Sequence, residues 1–154
     1  MVTVEFDSMG EAVRLALVAG EYVGGGLAVL LLDATDPRSD GYMAEWGVLT
    51  ANVPSAAEWC RGYGNIAIDA TVPAALLEAL EAAGMLRMAG RSAASGMARS
   101  PLATVAGRAL AGMGGLSDVS VNLFFTSSAN QTRRSRKGGF TACANVFSPI
   151  PVTP

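Results

Sequence analysis

The sequence predicts an α+β fold: a mostly antiparallel sheet, one helix over about residues 72–83 packed on it, and a C-terminal β-hairpin. Three observations lead there. Apolar or alternating runs of strand length recur at 2–6, 27–33, 46–53, 65–70, 119–126 and 140–147. Only one stretch combines leucines at helical spacing (Leu76, Leu77, Leu80) with a Thr-Val-Pro start and a Gly84 stop. The chain has 154 residues, of which 51% are hydrophobic and 16% charged, so it can bury a real core and is too apolar for disorder. Residues 1–105 read as the α+β core domain. Residues 106–154 read as an extension carrying a basic hairpin and packed on the same domain.

The elements follow in order. Residues 2–6 place Val2, Val4 and Phe6 on one face, as a short strand does. Asp7 or Ser8 then offers a cap for a helix running to Val18, with Glu11 in its first turn. A strand through Val13, Leu15 and Leu17 is the competing reading, and periodicity does not separate the two. Gly24-Gly25-Gly26 is a turn, followed by a continuous apolar strand at 27–33, as expected for a strand at the centre of a sheet. Residues 33–41 are a loop by composition; 46–53 is a strand stopped by Pro54, and 65–70 is another. Thr71 is placed to cap the 72–83 helix. Small residues dominate from 88 to 115, with helical character at 102–111 and turns at Gly90-Arg91 and Ser95-Gly96. Strands at 119–126 and 140–147 flank a hairpin loop.

The charge is split along the chain. Residues 1–85 hold twelve acids and three basic residues, a balance of −9, while residues 86–154 hold one acid and eight basic residues, a balance of +7. A dipole of this kind points to a charged partner. The chain has no histidine, which excludes Ser-His and Cys-His nucleophiles and His-ligated metal; its two cysteines, Cys60 and Cys143, are too few for a four-cysteine zinc site. They read as free buried thiols of a cytosolic protein. No apolar run reaches the roughly eighteen residues of a membrane span. We therefore expect no catalysis, no cofactor, no metal, no membrane association and a place in the host cytoplasm.

Two clusters are candidate contact sites. Asp33, Asp36, Asp40 and Glu45 surround one loop, without the spacing of a calcium loop. Arg133, Arg134, Arg136 and Lys137 crowd the tip of the C-terminal hairpin, where guanidinium forks suit phosphate or carboxylate. The second cluster allows direct nucleic-acid contact. It has no aromatic residue of its own for base stacking. Gly24-Gly25-Gly26 lacks the Lys-Ser/Thr dipeptide or following helix of a phosphate loop and reads as a plain turn.

Several pieces in fixed order resemble a known family. They are Gly-Leu-Ala-Val-Leu-Leu-Leu-Asp (26–33), Leu-Thr-Ala-Asn-Val-Pro (49–54), Ile-Ala-Ile-Asp-Ala-Thr (66–71), Leu-Leu-Glu-Ala-Leu-Glu-Ala-Ala-Gly (76–84), Gly-Arg-Ser-Ala-Ala-Ser-Gly (90–96) and Ser-Pro-Leu (100–102). Over about residues 22–105 the chain resembles a family of small proteins, a domain of unknown function, carried by plasmids, integrative elements and phages. The resemblance implies a mobile-element setting, and small accessory proteins of that setting often bind host machinery. The expectation is a non-catalytic protein that binds and inhibits a host defence complex, for example a CRISPR ribonucleoprotein. The alternative is a structural or decorating component of a phage particle. Arg91 is expected near the C-terminus of the 72–83 helix, where a cation offsets exposed carbonyl dipoles.

Overall fold

Alternation and a tight reversal build the first pair of strands. Val4 and Phe6 are buried while Thr3, Glu5 and Asp7 are exposed, giving β1 (Val2–Ser8). The chain turns at Met9 and Gly10, both at positive φ, and the Gly10 N–H donates to Asp7 Oδ1 at 2.8 Å. It returns as β2 (Glu11–Tyr22), antiparallel to β1, with Val2 opposite Leu17. The helix reading of this segment is thus corrected in favour of the strand. Leu15 to Gly20 is buried without interruption, whereas a surface helix needs a polar side. The Asp7 carboxylate holds the turn instead of capping a helix.

A computed structural model describes residues 1–36 and 42–115, together with the backbone of 147–148. In it Gly24, Gly25 and Gly26 form a turn at φ values of 94–100°, conformations that only glycine adopts freely. The turn delivers β3 (Leu27–Asp33), whose central five residues are buried, as expected for a strand flanked on both sides. β4 (Ala44–Val48) completes the order β1-β2-β3-β4, all antiparallel. It is shorter than the 46–53 strand the sequence suggests, because after Val48 the chain crosses to a second sheet through a Thr50–Ile68 bridge.

The second sheet has the order β5-β7-β6, built from β5 (Asn65–Ala67) and the hairpin of β6 (Leu86–Ser95) and β7 (Ala98–Val105). A 3-10 turn at Pro54–Ala56 runs into the single helical turn α1 (Ala57–Cys60), which packs on the face of the second sheet turned away from the first. α2 (Ala74–Ala82) follows β5, and α3 (Gly107–Gly112) follows β7. Beyond the end of β1, the free side of β2 pairs with β8 (Gly114–Gly115), parallel at Val18–Ala19, and with β9 (Phe147–Ser148), antiparallel at Glu21–Tyr22.

The main core lies between the sheets. Val4, Phe6, Leu15, Leu17, Val29 and Leu31 from the first sheet meet Ile66, Ile68, Leu86 and Val105 from the second, with Leu76 and Leu80 of α2 in the same cluster. Phe6 also sets its ring edge-on to Trp46 at 5.8 Å. The opposite face of the first sheet holds a second buried cluster, including Ala16, Val18, Leu30, Leu32 and Val48.

The predicted helix is present, with Leu76 and Leu80 buried and Leu77 half-buried. It starts later than expected: Pro73 occupies the N-cap and no side chain caps it. Thr71 turns back instead, its N–H and hydroxyl donating to Asp69 Oδ1. Residues 102–105 belong to β7, and only 107–112 is helical. The Ser95-Gly96 turn closes the β6–β7 hairpin. Gly90-Arg91 is not a turn: it lies in a register shift within β6, between Met88 and Ser92. Arg91 is not found in the role expected of it: its guanidinium lies over the Trp59 ring of α1. The cation beside the α2 C-terminus is Arg108, whose Nη2 lies 3.4 Å from the carbonyl oxygens of Ala83 and Gly84. The expected strands at 119–126 and 140–147 lie outside the described residues, apart from the backbone of Phe147, and so does the hairpin loop between them.

Candidate functional site

The sequence dipole becomes a division between the two sheets. β1 to β4 carry Glu5, Asp7, Glu11, Glu21, Asp33 and Glu45, against Arg14 alone. Arg14 is itself engaged: its Nη2 lies 2.6 Å from Glu5 Oε2, an exposed pair, so its charge is spent locally. β6 and β7 carry Arg87, Arg91 and Arg99, all exposed, and no acid.

The predicted acidic cluster is only partly assembled. Asp33 ends β3 half-buried and its Oδ1 accepts the Thr35 N–H at 2.9 Å, which shapes the departing loop. Glu45 stands on β4 opposite Leu32, one rung from Asp33, and is half-buried. Asp36 is exposed. Asp40 lies outside the described residues, as do Arg133, Arg134, Arg136 and Lys137. Among the described residues no group of three or more His, Cys, Asp or Glu side chains is set to hold a metal ion.

One acid is buried. Asp69 is 3% exposed, and its carboxylate accepts from the Thr71 N–H at 2.9 Å and the Thr71 hydroxyl at 2.5 Å. The Val72 N–H donates to the Asp69 carbonyl. These bonds tie down the entry to α2, a structural task that accounts for the burial.

The glycine turn lines a cavity of about 360 Å³ together with Tyr22, Asn52, Cys60 and Arg61. A strand, not a helix, follows the glycines, so no helix N-terminus points at the cavity. Cys60 is a free, half-buried thiol. Burial pushes its pKa up from the ordinary value, while a backbone hydrogen bond at Ala67 acts the other way. A raised thiol holds its proton, and the thiolate is the nucleophile. Cys60 should therefore react with iodoacetamide more slowly than a free cysteine at pH 8, gaining speed as the pH rises beyond 9. Peptide mass spectrometry reads this site separately from Cys143. The contribution of the neutral thiol to stability holds below the ordinary thiol pKa and is lost as pH rises through the folded value.

Sequence reasoning missed the surroundings of α1. The Arg91 guanidinium lies 4.8 Å from the centroid of the Trp59 ring, and Trp59 Nε1–H donates to the Ile66 carbonyl at 3.1 Å. A groove of about 740 Å³ runs between α1 and β6, lined among others by Glu58, Trp59, Asn65 and Arg91. Nothing in the spacing of Trp59 and Arg91 signals the contact, because the two lie far apart in the chain on α1 and β6. Among the described residues no helix is long and apolar enough to cross a membrane. In comparisons with protein-family models, with curated proteins and with solved structures, nothing matches this chain.

Proposed function

We propose that this chain is a non-catalytic accessory protein of a mobile element that binds a host defence complex, such as a CRISPR ribonucleoprotein, and inhibits it. The observation that carries the reading is the sorting of charge between the two sheets, with carboxylates spread over β1 to β4 and arginines but no acid on β6 and β7. Spaced carboxylates on a rigid sheet repeat the charge of a nucleic-acid backbone and suit a basic channel built for phosphate. The opposite side is free to grip an acidic surface. Complementary fields of this kind set association rate and partner choice. The mobile-element setting rests on the resemblance over residues 22–105.

The test uses the full chain and a purified host ribonucleoprotein found by pull-down from host lysate. The chain is expected to co-elute with the complex and to block its nucleic-acid target, with the block relieved as salt screens the contact. Replacing Arg133, Arg134, Arg136 and Lys137 by alanine separates the two modes. Unchanged inhibition leaves the contact on the two sheets, and lost inhibition assigns it to the basic run at 133–137. Assembly of the chain alone into symmetric high-order particles, with no host partner retained, overturns the reading in favour of a particle component.

A further inference from the structure

Two polar side chains in the cavity beside the glycine turn have no task in the fold. The walls that carry them are fixed by the backbone. On one side the Gly25 N–H donates to the Tyr22 carbonyl and the Tyr22 N–H to the Gly26 carbonyl, both at 2.9 Å. On the other, the Ala51 N–H donates to the Ala67 carbonyl at 2.8 Å and the Ala56 N–H to the Val53 carbonyl at 2.9 Å. The cavity is therefore preformed. At about 360 Å³ it lies at the lower end of ligand pockets and suits a small molecule.

The two side chains are Asn52 and Arg61. Both line the cavity, and among the described residues neither the Asn52 amide nor the Arg61 guanidinium makes a hydrogen bond or ion pair. Arg61 is exposed, but Asn52 is half-buried. An amide taken partly out of water without a partner loses hydration and regains nothing, which is unusual in a folded chain. The charge is one-sided as well. Among the described residues no acid lines the cavity, although residues 1–85 hold twelve, and Arg61 is the one cation that does. Val23, Leu27, Ala51 and Val53 give the wall an apolar part.

We propose that this cavity binds a small monocarboxylate, with the Arg61 fork taking the carboxylate, the Asn52 amide donating to it and the apolar wall holding a short hydrocarbon body. A guanidinium meets a carboxylate through two parallel hydrogen bonds. One cation balances one negative charge. A phosphate dianion would be left half-compensated, because no second cation lines the cavity among the described residues. The proposal stands whether or not the chain inhibits a host complex.

Cys60 lines the same cavity and reports its occupancy. The test follows alkylation of Cys60 by iodoacetamide in the full chain, by peptide mass spectrometry, at constant ionic strength. Sodium butyrate should slow the reaction along a saturation curve, by roughly tenfold at about ten times its Kd. Butyramide, the neutral analogue of the same shape, should bind roughly tenfold more weakly or worse, since it lacks the charge-assisted pair. Arg61→Gln should raise the Kd of butyrate by a similar factor. Asn52→Asp, which sets a second carboxylate against the first, should abolish protection. Arg61 is exposed, so its replacement leaves the fold intact, which a melting curve checks. Should Asn52→Asp unfold the chain, the Arg61 variant decides alone. No saturable protection by butyrate, equal protection by butyramide, or wild-type protection in Arg61→Gln overturns the proposal. Stronger protection by inorganic phosphate than by butyrate overturns the carboxylate assignment.

Discussion

Leu80→Ala should lower the melting temperature by about 5–15 °C, and Leu76→Ala by at least as much. The side chains are 1% and 0% exposed and sit where the first sheet, the second sheet and α2 meet. Truncating a leucine in such a place costs about 2–5 kcal/mol, part of it for the cavity that remains. In a chain of this size each kcal/mol moves the midpoint by about 2–4 °C. The site has little room to collapse, because ladder hydrogen bonds fix the strands on both sides of it. Leu77 is the internal control: it is half-buried at the margin of the same cluster, so Leu77→Ala should cost clearly less. Equal shifts for all three variants would show that α2 does not bury the face described here. An unchanged melting temperature for Leu80→Ala would show the same.

Thr50→Val should cost about 1–3 kcal/mol although it hardly changes volume, because it orphans a buried donor. The β3–β4 ladder ends near Val48, where the Leu49 N–H donates to the Val29 carbonyl. The Val29 N–H then has no strand to pair with and takes the Thr50 hydroxyl at 3.1 Å. That hydroxyl also lies 2.9 Å from the Tyr22 hydroxyl, which in turn donates to the Thr50 carbonyl at 3.0 Å. Thr50 is 1% exposed and pairs with Ile68 in the bridge to the second sheet. One side chain thus satisfies the backbone at the point where the chain leaves one sheet for the other. Thr50→Ser keeps the hydroxyl and should retain most of the stability. Chemical denaturation measures the cost, and hydrogen exchange locates it, with Val29 losing protection in Thr50→Val. A valine variant as stable as wild type, with Val29 still protected, would refute this role.

The charge-bearing parts of the candidate site were only half legible. That acids and arginines segregate could be read directly from residue order. Their assignment to separate sheets could not, since it depends on which strands pair. Of the clusters read from linear proximity, the first has Asp33 and Glu45 on the paired strands β3 and β4, with Asp40 outside the described residues, and the 133–137 run lies outside them altogether. The groove beside Trp59 combines residues from α1, β5, β6 and β7, which only the fold brings together. A reading of Arg91 from its distance to α2 gave it a role that Arg108 fills.

Local chemistry by itself determined the central strand, the glycine turn before it, and the α2 helix with Leu76 and Leu80 buried, although it expected Leu77 buried with them and the structure leaves that residue half-buried. In each case hydrophobic period, strand length or a required backbone angle leaves one solution. Residues 11–22 were different. Their apolar spacing admits both helix and strand, and the decision came from β1 and β3, whose ladders occupy both sides of the segment and whose sheet buries both faces from Leu15 to Gly20. Thr71 offered a good cap, yet a buried Asp69 needed its donors more. Where a residue's partner lies a few positions away, the sequence states the outcome. Where it comes from another strand, competing local solutions differ by little, and the tertiary structure decides because only it satisfies every buried polar group at once.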